Sequence, residues 1–187
     1  MVYEVEKRCL LTKMQYKRLE LYLDKNAKFM FSKRLNSYLF RKPSYLRIRL
    51  IEGDGYAHIT EKSGTYYDAA RIEKNTEIKT GQLNKFITKI YARGYKKCVS
   101  VTTYRKSYLL DGLVVELNGI PHLGLILEIE ALTNKKQDIK KHEKRIIQMI
   151  KKLKLKELNP DRYQGMLNMM YTAFLTDIKK IDFKKIL

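Results

Sequence analysis

The sequence predicts an α+β protein built on an eight-stranded antiparallel β-barrel with helices packed outside it. Segments that alternate polar and apolar residues recur along the chain, and tight turns join most of them, which is typical of antiparallel strands. The strands do not alternate strictly with helices, so a doubly wound parallel sheet is not expected. A length of 187 residues, with only three prolines and nine glycines, predicts a single domain over residues 1–187.

The first half of the chain holds five of the predicted strands. They cover residues 2–11, 29–40, 45–51, 56–62 and 68–78, with a turn expected near Asn36. Thr12 is placed to cap a helix over residues 13–23. Glu52-Gly53-Asp54-Gly55 is a strong hairpin signal, and Ser63-Gly64 predicts a second turn.

The second half supplies the remaining strands and most of the helices. Strands are predicted over residues 99–110, 112–118 and 125–132. Helices are predicted over residues 81–92, capped by Thr80, over 136–152, and from Asn159 through Phe174. Residues 179–187 are interpreted as a basic tail.

The chain carries a formal net charge of +19, from 39 lysines and arginines against 20 acidic residues. This charge favours anionic partners such as phosphates or nucleic acid, although a lysine-rich composition and solvated helix surfaces explain it equally well. The charged N-terminus, two cysteines and lack of a long apolar run predict a cytoplasmic, intracellular protein without membrane contact. No stable protein partner is expected, and a homodimer stays open.

Carboxylates occur in pairs on predicted strands. Glu4 and Glu6 share one strand face about 7 Å apart, together with Arg8. Glu128 and Glu130 share a face of a strongly apolar strand, and Glu116 repeats the arrangement one strand earlier. Since unpaired buried charge is costly, glutamates in an enclosed space need cations. Mg²⁺ or Mn²⁺, which prefer oxygen ligands, are the cations that we expect.

Basic residues alternate in the same way on other strands. The residues concerned are Arg47, Arg49, His58, Lys62, Arg71 and Arg105. Several strands thus offer a polar face opposite an apolar one, which favours a barrel with a polar lumen over a sandwich with one solvated face. Arginine forks and a lysine can hold phosphate oxygens, while glutamates hold the metal ions that bind the same phosphates.

Short motifs in order along the chain resemble the CYTH, or triphosphate tunnel metalloenzyme, superfamily. In the first half of the chain, Glu4-x-Glu6-x-Arg8 is similar to its ExExK signature, Leu46-Arg47-Ile48-Arg49 to its LRxR strand, Thr60-Glu61-Lys62 with Gly64 to its lysine-ending strand, and Arg71-x-Glu73 to its RxE element. In the second half, Arg105 with Tyr108 is similar to a later basic strand of the family. The segment from Leu117 to Gly124, followed by Glu128-Ile129-Glu130, is similar to its LDxVxxLGxFxEIE stretch, and Tyr163 with Leu167 is similar to its closing SYxxLL segment. Three positions depart from the family pattern. The family has lysine where this chain has Arg8, often has lysine where it has Thr103, and has aspartate where it has Asn118.

The resemblance implies a triphosphate tunnel that requires a divalent metal. The resemblance assigns catalytic roles to Glu4, Glu6, Arg8, Lys62 and Glu130. It assigns phosphate binding to Arg8, Arg47, Arg49, Lys62, Arg71 and Arg105. The residues it assigns to the metal are Glu4, Glu6, Glu128 and Glu130, with Glu116 as a further ligand. It predicts a triphosphatase that removes the γ-phosphate of inorganic tripolyphosphate, a nucleoside triphosphate or an RNA 5′ end. A class IV adenylyl cyclase and a non-catalytic module that binds polyphosphate, nucleotide or RNA are the alternatives.

Overall fold

The computed structural model describes residues 2–63, 70–181 and 183, and its centre is a closed antiparallel barrel. Its eight strands are β1 (Val2–Leu11), β2 (Lys28–Phe40), β3 (Leu46–Ile51), β4 (Tyr56–Ser63), β5 (Arg71–Lys79), β6 (Lys97–Leu110), β7 (Leu113–Ile120) and β8 (Gly124–Thr133). Their order around the barrel is β2-β3-β4-β5-β1-β8-β7-β6, and pairing of β6 with β2 closes it. The predicted fold class is confirmed.

The described residues form four α-helices outside the barrel: α1 (Lys13–Asn26), α2 (Leu83–Ala92), α3 (Ile139–Lys152) and α4 (Pro160–Phe174). Thr12 caps α1 as predicted, through a capping box in which its hydroxyl accepts from the Gln15 amide and Gln15 returns a bond to the Thr12 backbone. None of the helices in the described ranges is long and apolar enough to cross a membrane.

The outer, apolar faces of the strands pack against these helices. α1 and α3 cover β1, β7 and β8 with side chains such as Leu23 and Ile150, and both belong to one buried cluster with Val5. α2 covers β3 and β4 through Leu83 and Ile90. Because neighbouring residues of a strand point to opposite faces, burying one face outward leaves the polar residues pointing into the lumen.

α4 has a different position, across one end of the barrel. Its Leu167 and Met170 join Val101 and Ile126 in a small buried cluster. The segment after α4 forms a short strand, β9 (Leu175–Asp177), that pairs with the start of β6. The barrel end next to α4 is therefore lined by apolar side chains.

Three local predictions are wrong. β2 does not turn near Asn36, because Asn36 pairs with Leu50 of β3 on one side and Thr102 of β6 on the other. Thr80 does not cap α2, since a three-residue 3₁₀ turn precedes that helix.

The predicted basic tail is the third error in part: Lys179 and Lys180 are exposed, but Phe183 is buried against Tyr38 and its neighbours. The predicted turn at Gly64, the expected strand start at residue 68 and the rest of the tail lie outside the described residues.

Candidate functional site

The lumen encloses a cavity of about 390 Å³ whose wall carries both signs of charge. Six cationic side chains line it: Arg8, Arg47, Arg49, Lys62, Arg71 and Arg105. Six carboxylates line it as well: Glu4, Glu6, Glu73, Glu116, Glu128 and Glu130. Every candidate site residue predicted from the sequence thus lies in one cavity, while the roles assigned to them stay predictions.

The pairing of β1 with β8 brings the two glutamate pairs together. Glu6 lies opposite Glu130, and Arg8 lies opposite Glu128. β7 continues the same wall, because Glu116 lies opposite Glu128. The β1 residues are more than a hundred positions from those of β7 and β8 in sequence, so only closure of the barrel makes them neighbours.

One group of ion pairs joins β1 to β4 and β5. Lys62 donates to Glu4 at 2.5 Å, and Arg71 donates to Glu6 at 2.9 Å. Glu73 lies 3.5 Å from the Lys62 ammonium and 3.7 Å from the Arg47 guanidinium. The arginine and lysine heads are thus held in fixed directions within the lumen.

A second group of ion pairs centres on Glu128. Its Oε1 accepts from Arg8 Nε at 2.8 Å, and its Oε2 accepts from Arg105 Nη2 and Asn118 Nδ2, both at 3.0 Å. Asn118 Oδ1 in turn accepts from Arg105 Nε at 2.8 Å. Arg105 also lies 2.5 Å from Glu116. Asn118 therefore uses both ends of its amide, donating to a carboxylate and accepting from a guanidinium.

Arg8 connects the two groups, since its guanidinium pairs with Glu6 as well as with Glu128. It also lies over the Tyr163 ring of α4, 4.5 Å from the centroid. The pKa of Arg8 is raised, because the attraction of Glu6, Tyr163 and Glu128 outweighs the effect of burial. Arg8 stays charged in this position.

Two lumen side chains lack a partner of opposite charge among the described residues. Arg49 makes no ion pair there, and its Nε is buried without a hydrogen-bond partner. Burial, together with repulsion from Arg47 and Arg105, lowers the pKa of Arg49 to about 9. The Glu130 carboxylate makes neither a hydrogen bond nor an ion pair with a described residue, although its backbone lies between Glu6 and Val114 in the sheet. Burial and repulsion from four carboxylates, beginning with Glu116, raise the pKa of Glu130 well above its ordinary value.

The other glutamates divide according to their cationic neighbours. Burial alone would raise the pKa of Glu6, but Arg8, Lys62, Arg71 and Arg105 hold it well below the ordinary range. Burial raises the pKa of Glu116 to about 7 in spite of Arg105. Arg105 also pairs with Glu128, and the charge of Glu128 repels Glu116. The attraction of Arg105 therefore offsets only part of the effect of burial on Glu116.

The carboxylates are not arranged as a finished metal cage. Within residues 2–63, 70–181 and 183, no three His, Cys, Asp or Glu side chains converge as metal ligands. The oxygen donors nevertheless suit a hard divalent cation, because Glu130 and Glu116 sit in a field of like charge that a cation would relieve. The residues present therefore fit Mg²⁺ or Mn²⁺.

Sequence reasoning left Glu73 and Asn118 out of the site. Glu73 was part of a motif but received no role, although it faces the lumen and contacts Lys62 and Arg47. Its position two residues after Arg71 on the same strand was the available signal. The sequence comparison identifies Asn118 only as a departure from the family's aspartate, whereas the structure shows it joining Arg105 to Glu128.

This protein has a closed antiparallel barrel whose lumen is lined by carboxylates, arginines and a lysine. That architecture defines the class of tunnel proteins that the sequence motifs resemble. The CYTH domain model matches residues 2–163. The chain belongs to the CYTH family. Among curated proteins, none matches the sequence significantly.

Solved structures share the fold over most of the chain. The PH1012 protein from Pyrococcus horikoshii OT3 is 26% identical, with a TM-score of 0.68 over 84% of this chain and 94% of its own. A putative adenylate cyclase from Vibrio parahaemolyticus is 16% identical, with a TM-score of 0.70 over 89% of this chain and 98% of its own. The putative adenylyl cyclase HpAC1 from Hippeastrum, described as having a dominant triphosphatase activity, is 17% identical, with a TM-score of 0.56 over 84% and 90%.

Proposed function

We propose that this protein is a divalent-metal-dependent triphosphatase that hydrolyses the terminal phosphate of a triphosphate held in its tunnel. The observation that carries the proposal is the charge arrangement of the lumen. Six cations face six carboxylates, while Arg49 and Glu130 lack a partner of opposite charge among the described residues. An anionic phosphate chain that carries a metal cation offers each of them the missing partner.

The arginines suit a phosphate chain in both geometry and charge. A guanidinium presents a planar fork of donors that matches phosphate oxygens. Arg49 is available for this role, and its pKa, lowered by burial and by neighbouring arginines, would return upward when an anion binds. Lys62 on the neighbouring strand β4 and Arg71 on β5 are held in place by Glu4 and Glu6. Such fixed donors stabilise developing charge without having to reorganise.

Glu130 and Glu116, with Glu4 and Glu6 on the adjoining wall, are the residues that would hold Mg²⁺ or Mn²⁺. When bound, the metal would polarise a phosphoryl oxygen and lower the barrier for attack by water. Glu128 has a different role in this proposal. Its two oxygens are already engaged by Arg8, Arg105 and Asn118, so it positions the arginines.

The name of the Hippeastrum relative describes a putative adenylyl cyclase with a dominant triphosphatase activity. The same phosphate-binding side chains could act in either reaction. In a cyclase the ribose 3′-hydroxyl attacks the α-phosphorus, so pyrophosphate leaves. We favour hydrolysis because the charged side chains that line the cavity would contact the phosphates of any triphosphate, with or without a nucleoside.

The test is incubation of the purified protein with tripolyphosphate, ATP and 5′-triphosphorylated RNA, each with Mg²⁺, Mn²⁺ or EDTA. Release of inorganic phosphate that depends on the metal supports the proposal. Cyclic AMP and pyrophosphate from ATP would support the cyclase instead. Binding without turnover of any substrate would leave a binding module and refute the enzyme.

A pair of matched variants locates the activity in the tunnel. Glu130→Gln should lower kcat/KM by about 10²-fold or more, since it removes a charge from the proposed metal site. Glu61→Gln makes the same chemical change on the exposed, outward face of β4 and should leave the rate unchanged. Equal rates for both variants would contradict the assignment of Glu130.

A further inference from the structure

The outward surface of α3 carries positive charge that the barrel does not use. Residues 134–156 include ten lysines and arginines but only two acidic residues. Lys140, Lys144 and Lys151 are exposed and lie in one row along the helix, because about 100° of rotation per residue places them within an arc of roughly 40°. Lys141, also exposed, lies beside this row. We call these four lysines the basic face.

The acidic residues next to the basic face are engaged elsewhere. Glu143 turns toward the barrel and pairs with the Lys7 ammonium at 3.1 Å, and Glu157 pairs with the same ammonium at 3.1 Å. Asp111 of the turn between β6 and β7 pairs with Lys152 at 3.1 Å. The four lysines of the basic face make no ion pair or hydrogen bond with any residue that the structure describes. Their charges are therefore available to a partner outside the chain.

This placement of charge works against the helix itself. Lys140 and Lys141 lie in the first turn of α3, where the positive end of the helix dipole disfavours cations and no acidic residue offsets them. Lys140 and Lys144 are four positions apart, so two like charges are neighbours on the helix surface. A face that only had to stay solvated would be more stable with alternating signs. The repeated lysines therefore indicate a partner that carries negative charge.

The chemistry of the surroundings narrows the class of partner. Of the large apolar side chains that are exposed in the described parts of the chain, none lies within residues 134–158. The surface thus offers no group to insert into a lipid layer and no apolar anchor for a protein partner. Lysine is a compact point charge that suits phosphate oxygens, and the row is roughly 16 Å long. A chain of regularly spaced phosphates fits this row.

We propose that the basic face of α3 binds the phosphate backbone of a nucleic acid without regard to base sequence. α3 packs against β1 and β8 through Ile146 and Ile150, so the basic face lies outside the barrel, away from the lumen. The inference is thus separate from the proposed triphosphatase activity and does not depend on it. Residues 134–158 contain no Phe, Tyr or Trp, so stacking on bases is not expected there. Lysine contacts to phosphate release counterions, so binding should weaken steeply as salt rises.

The experiment measures the binding of short single strands of RNA and DNA by fluorescence anisotropy at a series of salt concentrations. The strands carry a 5′-hydroxyl and the buffer contains EDTA, so neither a triphosphate nor a metal engages the tunnel. The test variant replaces the row by glutamine: Lys140→Gln, Lys144→Gln and Lys151→Gln. The control variant removes the same charge from exposed positions of β5 and α2: Lys79→Gln, Lys85→Gln and Lys89→Gln.

We expect the wild type to bind both kinds of strand with similar affinity. The test variant should lower the slope of log K against log salt by about 2, from roughly 0.7 per lysine, which is a loss of about 10²-fold in affinity at about 0.1 M salt. The control should lose less than about threefold, since it changes only the distant field of the protein. Equal losses in the two variants, a loss in neither, or a wild type that binds no strand would overturn the proposal.

Further measurements separate the basic face from the tunnel and nucleic acid from other polyanions. The test variant should bind tripolyphosphate in the presence of Mn²⁺ as tightly as the wild type does. A loss of about tenfold there would show that these lysines act on the tunnel, and it would overturn a separate site. Polyglutamate that binds as tightly as the strands would make an acidic protein the partner, and a marked preference for one base sequence would contradict backbone recognition. Either result refutes the proposal.

Discussion

Replacing Asn118 by aspartate restores the residue that the family pattern has at this position, and we expect the metal-free protein to become less stable. Asn118 is 0% exposed, and its amide donates to Glu128 at 3.0 Å while accepting from Arg105 at 2.8 Å. Aspartate can still accept from Arg105. It cannot donate to Glu128, and it places a second negative charge beside that carboxylate.

The size of the effect follows from these distances. With an effective dielectric constant of about 20, the new repulsion at 3.0 Å and the new attraction at 2.8 Å are each on the order of 5–6 kcal/mol, so they nearly cancel. What remains is the lost hydrogen bond to a charged group, about 1.5–3 kcal/mol. For a chain of 187 residues this corresponds to a decrease in Tm of about 5–10 °C.

The assay is thermal unfolding in EDTA and in increasing Mn²⁺, with Asn118→Ser as the control that removes the amide without adding charge. In EDTA the aspartate variant should unfold at a lower temperature than the wild type. Mn²⁺ should restore its Tm more than that of the wild type or of the serine variant, because the added carboxylate is a further oxygen ligand. A metal-free aspartate variant as stable as the wild type would refute the role of Asn118 as a bridge between Arg105 and Glu128.

Three further predictions follow from the charges of the lumen and the cap of α1. Arg49→Met should stabilise the ligand-free protein by about 1 kcal/mol or more in urea unfolding, because it removes a buried cation that has no ion-pair partner among the described residues. The same variant should bind tripolyphosphate about tenfold or more weakly than the wild type. The pKa of Glu116 rises from 4.5 to about 7 on folding, so the folded state holds a proton that the unfolded state releases, and stability should fall by about 3 kcal/mol between pH 4.5 and 7. Glu116→Gln should flatten that part of the urea-unfolding profile, and an unchanged slope would contradict the assignment. Thr12→Ala should cost about 1 kcal/mol in the same measurement without changing the affinity for tripolyphosphate.

The alternation of side chains made the barrel and its lumen predictable. Glu4, Glu6 and Arg8 had to share a face because the period of a strand is two residues, and the same argument applied to Glu128 and Glu130. The hairpin turns predicted the pairing of β3 with β4 and of β6 with β7. Local rules of this kind need no knowledge of distant contacts, which is why these predictions hold.

The errors occur where distant contacts override a local signal. Asn36 is typical of turns, but the pairing of β2 with strands on both sides keeps it extended. The residues after α4 carry charges typical of a solvated tail, yet Phe183 packs against Tyr38 of β2 because the barrel leaves an apolar surface there. Neither outcome could be derived without knowing how the barrel closes.

The ion pairs of the lumen could not be derived from the sequence for the same reason, and they change the meaning of the predicted site. Three of the glutamates that the motifs assign to metal ions, Glu4, Glu6 and Glu128, are paired with arginines and Lys62 in the ligand-free protein. These pairs keep the buried charges stable without a ligand, at the cost of competing with metal and phosphate for the same side chains. Because positive and negative groups are equal in number along the described wall, neither metal nor triphosphate alone is favoured as strongly as both together. The affinity for each should therefore rise when the other is present, as linkage between the two requires.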